Sequence, residues 1–157
     1  MTRRPAVIVD MDGTLCDVST VVHLQAEPDG FEAFHQACAQ CPPHRPVVDW
    51  CLDHLSRGHE ILVVTGRDAW SRELTIRWLS EHLPMPIAGL HMRPEGDFRS
   101  NRDLKREIHS GLALEYDILA AIDDDPEIVD LWVEVGVPVA MVMELGEVLP
   151  ESDSRSR

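Results

Sequence analysis

The chain has 157 residues, 44% of them hydrophobic and 27% charged, with a formal net charge of −14. That length and mixture fit one globular domain able to bury its own core, while the acidic balance argues against a nucleic-acid coat or a membrane-surface protein, both of which need a basic face. No apolar run approaches the roughly 20 residues of a membrane span, and too few apolar residues follow Thr2-Arg3-Arg4-Pro5 for a signal-peptide core, so a cytoplasmic protein with Cys16, Cys38, Cys41 and Cys51 reduced is the default expectation.

Ala6 to Val9 is apolar at every position and reads as a strand buried on both faces. It runs into Asp10-Met11-Asp12-Gly13-Thr14, where residues i and i+2 of an extended chain project together. Asp10 and Asp12 then stand at the strand's C-terminal end, the side on which open parallel sheets place their ligands. Residues 15–45 contain a turn, Pro28-Asp29-Gly30, and a short helix over Phe31 to Gln40 with Phe31, Phe34 and Ala37 or Cys38 on one side. They read as a small insertion packed over the strand ends and not as core.

Pro46 opens the next helix, whose apolar positions Val47, Val48, Cys51, Leu52 and Leu55 run to a stop at Gly58. Ile61 to Val64 is a second buried strand, ending in Thr65-Gly66-Arg67. Trp70, Leu74, Trp78 and Leu79 mark a helix closed by Pro84 and Pro86, and the tryptophans Trp50, Trp70, Trp78 and Trp132 sit at core spacing. Leu90 to Met92 fits a short strand and Asn101 to His109 a helix with Leu104 and Ile108 inward, leaving Lys105 free to point elsewhere. Ile118 to Ile122 is a further strand, followed by Asp123 and Asp124, with Asp125 as N-cap and Pro126 as first residue of a helix that ends at Gly136. Val139 to Met143 is the last strand, and Glu151 to Arg157 a polar, disordered tail. The alternation of strands and helices predicts a parallel sheet covered on both faces.

Three strands therefore end in polar groups on one side of the sheet: Asp10 and Asp12, Thr65-Gly66-Arg67, and Asp123-Asp124. Carboxylates gathered that closely repel each other unless a cation sits among them, and oxygen-only ligands suit Mg²⁺, which also binds substrate phosphate. Lys105 is the only lysine among 14 Lys and Arg residues, and a compact point charge differs in use from a planar guanidinium.

In this order and spacing the motifs resemble those of the haloacid dehalogenase-like (HAD) phosphatases, over nearly the whole chain from Val7 to about Met143. The resemblance implies a three-layer, Rossmann-like α/β fold with a mainly parallel sheet and a small helical cap at 15–45, a single domain over 1–150. It also implies a phosphatase in which Asp10 attacks phosphorus to give an aspartyl-phosphate and Asp12 acts as general acid, then base. An acid working at neutral pH needs a raised pKa, which neighbouring carboxylates could supply. By the same likeness Thr65 binds a phosphoryl oxygen and Lys105 neutralises Asp10 and the phosphate. Mg²⁺ is held by Asp10, the Asp12 carbonyl, and Asp123 or Asp124.

A narrower similarity joins Met92-Arg93-Pro94-Glu95-Gly96-Asp97-Phe98-Arg99, Lys105-Arg106-Glu107-Ile108, Thr65-Gly66-Arg67, Ala121-Ile122-Asp123-Asp124 and Val129-Asp130-Leu131-Trp132 to the 3′-phosphatase domain of bacteriophage-type polynucleotide kinase-phosphatases. It implies that Gly66, Arg67 and Arg93 meet the substrate, a 3′-phosphorylated nucleotide or oligonucleotide end. Five basic residues against three acidic ones over 93–106 agree with an anionic ligand, without an extended nucleic-acid surface. Two departures stand out. No Gly-x-x-x-x-Gly-Lys-Ser/Thr loop occurs in these residues, so they carry no kinase half, and Asn101 lies where those phosphatases commonly show an acid. The alternatives are a phosphatase of nucleoside monophosphates or other small phosphomonoesters, a phosphotransferase or mutase, and a non-catalytic nucleotide- or partner-binding module. A rival metal site, zinc at His35, Cys38, Cys41 and His44, has the central Cys-x-x-Cys spacing but no loop between two ligand pairs.

Overall fold

The computed structural model describes residues 2–28 and 30–151. In chain order its strands and α-helices are β1 (Arg4–Val9), α1 (Gly30–Cys38), α2 (Arg45–Ser56), β2 (Glu60–Asp68), α3 (Arg72–His82), β3 (Gly89–Arg93), α4 (Asn101–Leu112), β4 (Tyr116–Asp123), α5 (Pro126–Glu134), β5 (Val139–Val142) and β6 (Val148–Leu149). The uninterrupted apolar run of β1 can be buried on both faces only inside a parallel sheet. β1 takes that place, pairing in parallel with β2 on one side and β4 on the other. The sheet order is β3-β2-β1-β4-β5-β6, with only β6 antiparallel.

Alternation along β1 divides the core. Val7 and Val9 face one layer, with Val47, Cys51 and Trp78 from α2 and α3. Ala6 and Ile8 face the other, with Leu112, Ile128, Leu131 and Trp132 from α4 and α5. This is the expected mixed α/β arrangement of helices on both faces of a mainly parallel sheet. No helix among the described residues is long and apolar enough to cross a membrane. The four cysteines are unpaired and buried.

The structure corrects several local expectations. α1 ends at Cys38, two residues before Gln40, and turns Phe34, His35 and Cys38 inward while Phe31 is 64% exposed. The 15–45 insertion does enter the core: Leu15, Cys16, Val18, Phe34, Cys38 and Cys41 pack with Val7 and Val9, because a sheet face at its C-terminal end needs cover that α2 and α3 leave incomplete. Trp70 is not a core residue. It lies in a 3₁₀ turn, Ala69–Ser71, ahead of α3 and is 45% exposed. The two-residue β6 has too little pattern to be read from sequence. Glu151, assigned above to the tail, accepts hydrogen bonds from Trp50 and His54, and residues 152–157 lie outside the described residues, as does Asp29 of the predicted turn.

Candidate active site

β1 ends at Val9, and the chain turns at once. Thr14 N–H bonds the Met11 carbonyl and Leu15 N–H the Asp10 carbonyl. The turn needs Gly13, whose φ is +79° and whose missing Cβ would lie 2.2 Å from a carboxylate oxygen of Asp124. That close approach brings the end of β4 against the end of β1. Asp10 and Asp12 both line a cavity of about 650 Å³ there, with Thr65, Gly66, Arg67, Arg93, Lys105, Asp123 and Asp124. Every residue singled out for the site from sequence thus borders one space.

Within it the charges sort into two groups. Lys105, on the inner face of α4, is 3% exposed and donates to Asp10 Oδ1 at 3.0 Å and Asp123 Oδ2 at 2.8 Å. The Thr14 hydroxyl lies 3.1 Å from both Asp10 Oδ2 and Asp124 Oδ1. Asp10, Asp123 and Asp124 each offer an oxygen within 4.8 Å of the others. Burial and the charge of Asp10 push Asp123 up to about 6. Burial and the charges of Asp10 and Asp123 push Asp124 up to about 8. Burial works against the Lys105 ammonium, yet the charges of Asp10 and Asp123 raise its pKa overall. Three carboxyl groups against one lysine crowd negative charge where Asp10, Lys105 and Asp123 are all buried. All three donors are hard oxygens, a set that fits Mg²⁺.

Asp12 stands apart from that cluster. Its neighbours are not carboxylates, as the sequence led us to expect, but the Arg67 guanidinium and two thiols. Arg67 Nε lies 3.0 Å from both Asp12 oxygens and Nη2 2.5 Å from Oδ1. Cys38 Sγ lies 3.8 Å from Oδ1, and Cys16 completes the group. Burial disfavours the Arg67 charge, but the hydrogen bonds and charge of Asp12 raise its pKa overall. Arg67 Nη1 also donates to Thr75, so α3 fixes the fork from behind. Thr65 Oγ1 accepts from Arg67 N–H at 3.1 Å, which leaves its own proton free to donate.

Arg93 bonds the Gly66 carbonyl, the Asp97 and Arg99 carbonyls and Asn101 Oδ1. It ties the loop after β3 to the end of β2 and the start of α4. A Cβ on Gly66 would meet Asn101 Oδ1 at 2.3 Å, so glycine permits this contact. Among the described residues, His35, Cys38, Cys41 and His44 do not form a metal-holding group. His44 Nδ1 is instead 2.8 Å from the Thr14 carbonyl, and Cys38 turns toward Asp12.

Among the lining residues that sequence reasoning did not assign to this site are His35, Asp68 and Trp70. Asp68 and Trp70 directly extend the Thr65-Gly66-Arg67 motif, and that adjacency was the available signal. His35 enters the sequence reading only as a zinc candidate, because a helical stripe does not reveal which face meets a cavity.

Residues 4–145 match a family model described as polynucleotide kinase PNKP phosphatase domain. A protein of Autographa californica nuclear polyhedrosis virus, named for polynucleotide kinase and RNA ligase, is 25% identical over 127 residues, 79% of this chain and 18% of the viral one. A chain of the solved Pnkp1/Rnl/Hen1 RNA repair complex is 25% identical with a TM-score of 0.76, over 89% of this chain and 42% of that one. The chain thus spans less than half the length of either. A haloacid dehalogenase-like family hydrolase from Streptococcus pneumoniae shares the fold at a TM-score of 0.61 and 14% identity, over 91% of this chain and 86% of that one.

Proposed function

This chain belongs to the polynucleotide kinase PNKP phosphatase domain family of HAD phosphatases, and from that membership we propose that it is a Mg²⁺-dependent phosphomonoesterase acting on 3′-phosphorylated nucleotide or oligonucleotide ends through an aspartyl-phosphate. The observation that carries the reading is the division of charge in one cavity. Asp10 is clamped by Lys105 among the carboxylates, while Asp12 is held separately by Arg67. This division supports reading Asp10 as the nucleophile and Asp12 as the proton carrier.

In the first step an Asp10 oxygen bonds to phosphorus, the P–O ester bond breaks, and the leaving oxygen takes a proton from Asp12. In the second, Asp12 removes a proton from water, whose oxygen attacks phosphorus and frees Asp10 and inorganic phosphate. The Thr65 hydroxyl and the N–H groups beside Gly66 bind phosphoryl oxygens. Arg67 and Arg93 border the same space and are assigned to the substrate's phosphate side, alongside their present contacts. Asp10, the Asp12 carbonyl, and Asp123 or Asp124 would hold Mg²⁺. When bound, Mg²⁺ supplies Lewis-acid charge that lets an anionic carboxylate approach an anionic phosphate.

The substrate class is supported by the family match, by the repair-complex relative and by the basic residues over 93–106. The test is Asp10→Asn, which should abolish hydrolysis of p-nitrophenyl phosphate, together with a wild-type panel of 3′-phosphorylated DNA and RNA ends, 3′- and 5′-mononucleotides and sugar phosphates. Retained activity in Asp10→Asn would refute the covalent route. Equal rates across the panel would refute the polynucleotide substrate and leave a general small-molecule phosphatase.

A further inference from the structure

Two residues that line the cavity each carry a buried polar atom with no hydrogen-bond partner in the protein: His35 Nδ1 and Asp68 Oδ1. A buried polar group without a partner is costly, and His35 is only 8% exposed. Both residues line the cavity that holds Asp10 and Asp12. Trp70, which lines the same cavity, is 45% exposed, with its ring 5.8 Å from the His35 ring at 55°. An indole left half in solvent in a cavity lined by two residues with unsatisfied polar atoms is poorly explained as packing. It is well explained as a site that a ligand completes.

The chemistry of the three residues selects the part of the ligand. The Asp68 carboxylate repels phosphate and accepts from a hydroxyl or an exocyclic amine. Imidazole Nδ1 can donate or accept according to its tautomer. Indole offers a flat apolar face, on which any base stacks. The phosphate end of the cavity is already marked by Lys105 and Thr65. We propose that Trp70, His35 and Asp68 form the subsite for the nucleoside of the terminal nucleotide, with the base against Trp70 and a sugar hydroxyl or base amine on Asp68.

The subsite rests on the nucleotide reading above and sharpens it. Recognition by these three residues favours substrates with a base and sugar over those with a bare alkyl or aryl group on the phosphate. Phe31, 64% exposed on the cap side of the same cavity, is placed to flank a second base of a longer strand.

The experiment compares kcat/KM of the wild type, Trp70→Ala and Asp68→Asn on adenosine 3′-monophosphate, a 3′-phosphorylated single-stranded DNA oligomer and p-nitrophenyl phosphate. Trp70 is exposed, and Asn preserves the shape of Asp68, so both variants should fold, as circular dichroism would verify. The expected result is a loss of about tenfold or more on both nucleotide substrates, mainly in KM, and a clearly smaller loss on p-nitrophenyl phosphate, which offers one small ring and neither sugar hydroxyl nor base amine. Wild-type turnover of the nucleotides with unaltered ratios in both variants would overturn the subsite alone. Turnover of p-nitrophenyl phosphate without turnover of either nucleotide would overturn the nucleotide reading and the subsite with it.

Discussion

Arg67 holds Asp12 from two sides of its guanidinium, with Nε 3.0 Å from each carboxylate oxygen and Nη2 2.5 Å from Oδ1. Only 2% of the Arg67 side chain is exposed. A buried fork of this kind fixes the orientation of the carboxylate. Arg67→Lys keeps the charge and loses the fork. Since general acid–base catalysis is worth about 10²–10⁴-fold, the expected effect is a fall in kcat of roughly 10–100-fold on a 3′-nucleotide. A smaller fall is expected on p-nitrophenyl phosphate, whose leaving group needs less protonation. Equal losses on the two substrates would show that Arg67 does not act through Asp12.

This pair also marks the limit of what the sequence discloses. Asp10, Thr65, Lys105 and Asp123 follow apolar runs or a helical stripe, so their place at the strand ends can be read from periodicity. The partner of each cannot. Nothing local says that Asp12 faces Arg67, 55 residues away, while Asp10 faces Lys105. Trp70 failed for a related reason. Helical spacing indicates that residues share a face, but not whether that face meets the core or a cavity. The 15–45 stretch was misjudged because its turns and prolines obscure the buried run of Leu15, Cys16 and Val18.

The crowding of Asp10, Asp123 and Asp124 predicts opposite effects with and without metal. With its pKa raised to about 8, Asp124 must either crowd a charge against Asp10 and Asp123 or take up a proton on folding; Asp124→Asn removes that cost, and the amide oxygen can still accept from Thr14. Without metal the variant should be more stable than the wild type by about 1 kcal/mol, since like charges in one site repel. With saturating Mg²⁺ the order should reverse, because a ligand at 100 times its Kd adds about 2.7 kcal/mol to a protein that binds it. Thermal melts of both proteins with Mg²⁺ and with EDTA provide the check. An equal Mg²⁺-induced rise in the two would show that Asp124 is not a ligand and leave Asp123 as the carboxylate that completes the site.

Asn101 accepts from Arg93 Nη2 at 2.6 Å and borders the cavity. In Asn101→Asp that contact becomes an ion pair between an exposed residue 101 and a largely buried Arg93. Charge-assisted bonds are about twice as strong as neutral ones, so stability should rise by about 0.5–1 kcal/mol in urea titrations. The same change puts a further carboxyl at the mouth of a phosphate site, so KM should rise while kcat holds. A lower KM would mean that Arg93 does not bear on substrate.

Glu151 closes the far side of α2. Its Oε1 accepts from Trp50 Nε1 at 2.9 Å and lies 3.4 Å from His54 Nε2, while His54 Nδ1 meets His59 Nδ1 at 3.0 Å. The His54 contact, against the opposing effect of burial and with help from Trp50, lowers the Glu151 pKa to about 2. A carboxylate whose pKa is lower folded than unfolded stabilises the protein fully above its unfolded value, near 4.5. That stabilisation is lost as pH falls through the folded value. Glu151→Gln retains the acceptor oxygen and removes the charge. Its deficit against the wild type should be about 1 kcal/mol at pH 7, a charged hydrogen bond discounted for partial exposure. It should hold to about pH 5, then shrink toward zero as the carboxylate protonates below about 4.5. Urea unfolding of the two proteins at stepped pH measures it directly. A deficit that persisted unchanged into acid would mean that shape, and not the charge of Glu151, holds this end of the chain against α2.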